Sequence, residues 1–207
     1  MKNILNTINI LIVFASLNTY CQILDMSKLG NNGLIPSGAY YKDTNNLFNQ
    51  FEGKYKYDNG NTSLEIELVK KLDQPIAISG SYMDIVVGEF KYIENGVLKI
   101  NTLPKLNLNI SFLDHAIFGF GILNNHNDFP CTTCYPDQKR LRASYQDPFN
   151  DKISMDLFFK KVTLPSGIVT LEMFMVDRTR ELYTFEGNKI SAGLSIFPKQ
   201  TYVLIKQ

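Results

Sequence analysis

Apolar and polar side chains alternate residue by residue along most of this chain. A period of two commits it to pleated strands with one face turned inward. Tyr55 and Tyr57 alternate with Lys54, Lys56 and Asp58, and Leu64, Ile66 and Leu68 with Glu65 and Glu67. Leu141, Ala143 and Tyr145 interleave with Arg140, Arg142 and Ser144, and Ile153, Met155, Leu157 and Phe159 form a later inward set. Asn59-Gly60-Asn61 and Asn95-Gly96 are hairpin signals, because Asn and Gly tolerate positive φ. Tyr82–Glu94 is a long β-rich run in which Gly88 marks a bulge or bend. Leu106, Leu108 and Ile110 alternate with Asn107, Asn109 and Ser111 as a further strand. His115–Leu123 is apolar on both faces and reads as a central strand. Leu164-Pro165-Ser166-Gly167 turns the chain into Ile168–Val176, and Thr201–Lys206 closes it. Roughly nine or ten strands at this spacing predict an all-β barrel or sandwich. Short consecutive turns favour an antiparallel barrel, whose closure removes exposed edges, over a β-sandwich. Asp43–Gln50 alone looks helical, with Asp43 as its N-cap. Without a repeat or low-complexity linker, Gln22–Gln207 reads as one domain.

Composition narrows function by exclusion. A hydrophobic share of 44% with a net charge of +1 rules out disorder. Balanced charge also argues against a nucleic-acid partner, which calls for a basic excess. Two histidines supply little for a metal centre, and no metal or cofactor is expected.

The first 21 residues read as a signal peptide. Lys2 is the sole charge before Asp25, and Ile8–Leu17 is apolar apart from Asn9. That run is shorter than the roughly 20 residues needed to span a bilayer. Thr19 and Cys21 fit positions −3 and −1 of a cleavage before Gln22. Lipidation of Cys21 is the lesser alternative, because Asn18 and Tyr20 stand where such signals carry Leu and a small residue. Cleavage removes Lys2 and leaves basic and acidic groups equal. The mature chain, with no transmembrane segment, is expected to be periplasmic, surface-displayed or secreted.

After export, Cys131 and Cys134 remain, in Phe129-Pro130-Cys131-Thr132-Thr133-Cys134-Tyr135-Pro136. In an oxidising compartment they are expected to form a disulfide that staples a loop. Flanking prolines and the polar Asn124–Asp128 stretch argue against a redox motif, which opens a helix after a strand. A zinc site through His126 or His115 lacks a second close ligand pair.

Motifs for catalysis are missing. Gly193-Leu194-Ser195-Ile196 has no closing Gly for a nucleophile elbow, and Gly119-Phe120-Gly121 lacks the third Gly of a dinucleotide loop. Asp114 and His115 are sequence neighbours, which point to opposite faces of a strand and pair poorly. Asp177–Glu181 reads as a solvated charged turn. No catalytic residue is assigned. Most of the 14 Phe and 11 Tyr belong in a core, but Tyr40, Tyr41, Tyr135 and Tyr145 sit at loops and strand ends. These four are the candidate ligand-binding residues for a sugar or an apolar molecule at a barrel mouth.

The chain as a whole resembles a group of small exported proteins of unknown function from Bacteroidetes-type bacteria. The likeness runs through Cys21-Gln22, through Pro36–Asp43 into Phe51–Tyr57, and through Phe197-Pro198 to Lys206-Gln207. Phe51-Glu52-Gly53-Lys54-Tyr55 after a short helical turn also resembles the opening of lipocalins, with Tyr55 in place of their Trp. The resemblance implies an exported, lipocalin-like domain and supplies no activity. The leading expectation is a non-catalytic binding module with a small apolar or glycan-like ligand inside the barrel or at its mouth. The alternative is a structural or protein-interaction domain of the cell envelope. A hydrolase comes last.

Overall fold

The computed structural model describes residues 22–26, 36–124, 131–177, 182–183, 189–190, 195–196 and 198–207. The expected leader 1–21 with Cys21, His126, the Phe129-Pro130 pair, the charged run at 178–181, Gly193-Leu194 and Phe197 lie outside these residues. What is described is all-β, with helical turns of the 3-10 type only.

The strands are β1 (Ile23–Asp25), β2 (Tyr40–Lys42), β3 (Gly53–Asn59), β4 (Thr62–Ile76), β5 (Ser81–Glu94), β6 (Val97–Asn101) and β7 (Ile117–Leu123). They continue as β8 (Arg140–Asp147), β9 (Asn150–Thr163), β10 (Val169–Asp177), β11 (Leu182–Tyr183), β12 (Lys189–Ile190) and β13 (Tyr202–Lys206). In the order β3, β4, β5, β7, β8, β9, β10, β13, each strand pairs antiparallel with the next. β13 then pairs back to β3. The result is a closed, eight-stranded, up-and-down barrel rather than the sandwich alternative. β6 pairs with β5 off this ring, and β1 and β2 add parallel strands beside the start of β5. The predicted turn at Asn95-Gly96 forms with φ of 52° and 73°, the paired positive values that a tight hairpin requires.

Alternation explains what fills the ring. An eight-stranded barrel has room inside for its own side chains or for one small ligand, and side-chain size decides between them. Here the inward set is large. Tyr55, Leu64, Ile66, Phe90, Tyr145, Leu157, Phe159, Leu171, Met173, Tyr202 and Leu204 are all 0% exposed. Tyr57 meets Tyr202 edge-on at 5.1 Å, and Phe90 lies 5.9 Å from Tyr145. These side chains replace the hollow interior that an internal ligand needs.

Gly88 is read from sequence as a bulge, yet the register runs through it unbroken, opposite Leu68 on β4 and Ile117 on β7. Its role is close packing. A Cβ there would stand 2.6 Å from Leu68 Cδ2 and 3.2 Å from Ile117 Cβ. Gly88→Val is therefore expected to destabilise the barrel by about 3 kcal/mol, as overpacked core positions do. Urea unfolding checks this, and a loss below about 1 kcal/mol contradicts the packing.

The strand expected through Leu106, Leu108 and Ile110 is instead a 3-10 turn, Leu103–Asn107, followed by irregular chain. Pro104 in the first turn has no N–H to give a ladder, and Leu108 is exposed. β6 extends the edge of β5 beyond β7, the turn Leu103–Asn107 packs against β5, and His115 and Ala116 return onto Glu89 of β5. The predicted helix at Asp43–Gln50 shrinks to a 3-10 turn, Leu47–Phe51, whose Phe48 and Phe51 plug one end of the barrel.

The plug is tied by two buried carboxylates. Asp43 accepts from Leu47 N at 2.7 Å, Phe48 N at 2.9 Å and Lys70 Nζ at 2.9 Å, so it caps the turn as predicted, from outside the formal cap position at Asn46. Asp84 accepts from Tyr40 Oη at 2.6 Å, Asp43 N at 2.9 Å and Asp73 N at 3.2 Å. At the same end, Cys131 and Cys134 form the expected disulfide, with Cα atoms 5.3 Å apart. So short a loop supplies at most about 2 kcal/mol of unfolded-state constraint. Its neighbours dock it, Lys160 Nζ donating to Thr133 Oγ1 at 3.2 Å and Gln138 Nε2 to the Lys161 carbonyl at 3.0 Å.

Candidate functional site at the barrel rim

The end opposite the plug is where β3, β5, β8 and β10 finish and β4, β7, β9 and β13 begin. Asp147 seals the interior there. Its carboxylate accepts from Tyr145 Oη, Phe149 N and Ile196 N, each at 3.0 Å. Burial, then the Asp147 charge, pushes the Tyr145 hydroxyl far above its ordinary pKa. Sealed and protonated, this tyrosine is a structural bolt rather than a ligand contact.

Just outside the seal, a cleft of about 350 Å³ opens between the turn before β7 and the β8–β9 hairpin. Leu113, Asp114, His115 and Ala116 line one wall, and Gln146–Phe149 with Asp151 the other; Lys105 reaches in from the segment that covers β5. Phe149 is 70% exposed and Leu113 53%. The cleft therefore offers an aromatic ring beside carboxylate and amide groups.

Behind the cleft, His115 Nδ1 lies 2.8 Å from Glu89 Oε1, with side chains 2% and 0% exposed. Ala116 N also donates to Oε1, at 3.4 Å. Asp114, read from sequence as a turn residue that pairs poorly with its neighbour, ends a 3-10 turn (Phe112–Asp114) and is exposed. The true partner comes from β5, 26 residues away. One signal could have found it: Glu89 is a lone charge inside the apolar run Ile85-Val86-Val87-Gly88-Glu89-Phe90.

The four tyrosines predicted to bind a ligand are not brought together. Tyr40 and Tyr41 are neighbours on β2 at the plug end, Tyr41 buried and Tyr40 bonded to Asp84. Burial, then that bond, raises the Tyr40 hydroxyl pKa. Tyr135 is 79% exposed beside the disulfide, and Tyr145 is 0% exposed at the opposite end. A smaller cleft of about 130 Å³ lies at the plug end, lined by Asp25, Met26, Asp43, Asn45, Leu47, Ile122, Asn124 and Lys139. Among the described residues, no three His, Cys, Asp or Glu side chains gather to hold a metal ion, and no helix is long and apolar enough to cross a membrane.

Compared with known families, residues 1–207 match the model of a family of unknown function, DUF6705. No curated protein and no solved structure matches the chain.

Proposed function

The chain belongs to that family of unknown function along its whole length, and from its own geometry we propose an exported, non-catalytic binding module that holds a small glycan-like ligand in the rim cleft. One observation carries the reading: the barrel is filled with its own aromatic side chains, while a cleft of about 350 Å³ stands open at the rim. The inward side chains offer an apolar ligand no accessible surface. Phe149 provides a flat apolar face, and Asp114, Gln146 and Asp151 provide the oriented polar groups that fix a small molecule. The up-and-down barrel is an architecture that lipocalins share, with the ligand moved here from the interior to the rim. The disulfide supports export, because such bonds persist in oxidising compartments.

Native mass spectrometry of protein purified from its own host, followed by calorimetry with what it retains, tests the reading. Phe149→Ala is expected to weaken binding about tenfold or more, since stacked aromatic anchors dominate such sites. Stability should change by less than about 0.5 kcal/mol at so exposed a position. A retained apolar ligand released only on unfolding contradicts the proposal.

A second reading, an envelope protein-interaction domain, draws support from Phe174, Val203 and Ile205. These are half-exposed on the outer faces of the adjacent strands β10 and β13. In that case the rim stays silent to small ligands, and crosslinks to host envelope proteins run through β13.

A further inference from the structure

We propose that His115, held in one tautomer by Glu89, is the acceptor on which a neutral polyhydroxylated ligand is seated; the inference rests on the cleft reading above. Glu89 points outward from β5, out of phase with the inward Phe90 and Tyr92. An outward carboxylate of a barrel strand is ordinarily solvated. This one is 0% exposed, with His115 and Ala116 set against it. A carboxylate removed from water needs donors, and two converge on Oε1, from His115 Nδ1 and Ala116 N. In this assignment Glu89 is the acceptor, so Nδ1 carries the proton. In the neutral ring the lone pair then sits on Nε2.

Among the described residues that second nitrogen has no hydrogen-bond partner, and unlike Glu89 Oε2 it is not sealed away from solvent. His115 borders the cleft, so Nε2 is the ring nitrogen left to a ligand. The arrangement is that of an imidazole oriented by a carboxylate behind it. Asp114 and Asp151 nearby are acceptors as well, and Lys105 is the single cation of the lining. A ligand must bring hydrogen-bond donors to match. An anion meets repulsion from Asp114, Asp147 and Asp151, and an apolar molecule leaves His115 unpaired. Neutral saccharides meet both conditions.

Imidazole nitrogen NMR tests this. The chain has two histidines, so His126→Asn assigns both rings. At pH 8 the His115 ring is expected to carry its proton on Nδ1 alone, and Glu89→Gln to abolish that preference. A ring protonated on Nε2, or on both nitrogens, overturns the proposal. A panel of neutral mono- and disaccharides is then titrated into the wild-type chain. The Nε2 resonance should move with the backbone amides of Leu113–Ala116 and Gln146–Asp151. Glu89→Gln, checked for folding by circular dichroism, should bind about tenfold more weakly, the scale of one hydrogen bond. Cleft amides that shift without the ring overturn the role of His115 and leave the cleft reading standing. If no saccharide moves a cleft amide, both fall. If an alkylammonium ion binds there in place of saccharides, the ligand class assigned is wrong.

Discussion

Above pH 10 the barrel is expected to lose stability at about 4 kcal/mol per pH unit or more, as buried tyrosines, three of them fully enclosed, resist ionisation in the fold. Tyr55, Tyr145 and Tyr202 are each 0% exposed. Burial, then the Glu52 charge, raises Tyr55 to about 12, and burial raises Tyr145 and Tyr202 further still. The neutral hydroxyl is the form that the fold prefers. Its stabilising contribution is complete below the unfolded value near 10 and is lost as pH climbs through the folded value. In that window the unfolded chain holds fewer protons than the native one, so the slope is negative. A domain with a total stability of about 5–15 kcal/mol cannot withstand many such units. Tyrosinate absorbance and far-ultraviolet circular dichroism should therefore change together in one cooperative step. Tyr55→Phe should flatten the slope by about 1.4 kcal/mol per pH unit. Tyrosines that all ionise near pH 10 with the β signal intact would refute the packed interior.

Truncating His115 to Ala is expected to destabilise the fold by about 3–5 kcal/mol, because it strands a buried carboxylate. Glu89 Oε2 already lacks a partner, and the loss of His115 leaves only the long bond from Ala116 N. Replacing both residues with apolar ones, Glu89→Leu with His115→Phe, should recover most of the loss, since removing both partners of a buried hydrogen bond leaves no polar group stranded. The double-mutant cycle then shows a coupling of several kcal/mol by urea unfolding. Single variants within about 1 kcal/mol of the parent chain contradict the pairing.

The barrel itself was legible because its signals are local. Leu64, Ile66 and Leu68 face inward against Glu65 and Glu67, and Leu157 and Phe159 do so on β9, as alternation requires. The Asn-Gly turns follow from the same local chemistry. What escaped is what depends on a second layer. Val87 and Glu89 occupy the outward phase of β5 yet are buried, because a distant segment covers them. Period-two reasoning assigns a phase but cannot see the cover. Leu106 and Leu108 imitate a strand by spacing alone, and Pro104 decided otherwise.

The candidate site was less legible for the same reason. Loop position marked Tyr40, Tyr41, Tyr135 and Tyr145, but the fold sends them to both ends of the barrel and buries two of them. The rim residues Asp114, Gln146, Phe149 and Asp151 become neighbours only when the start of β7 pairs with the end of β8. His115 finds its carboxylate across the β5–β7 seam that closes the ring.

Methyl-resolved NMR of the chain titrated with a medium-chain fatty acid gives the most direct test of whether the barrel is solid. No saturable change is expected at the inward methyls of Ile66, Leu157, Leu171 and Met173. Saturable shifts at those methyls would mean that the interior opens to ligand, and would contradict a solid barrel.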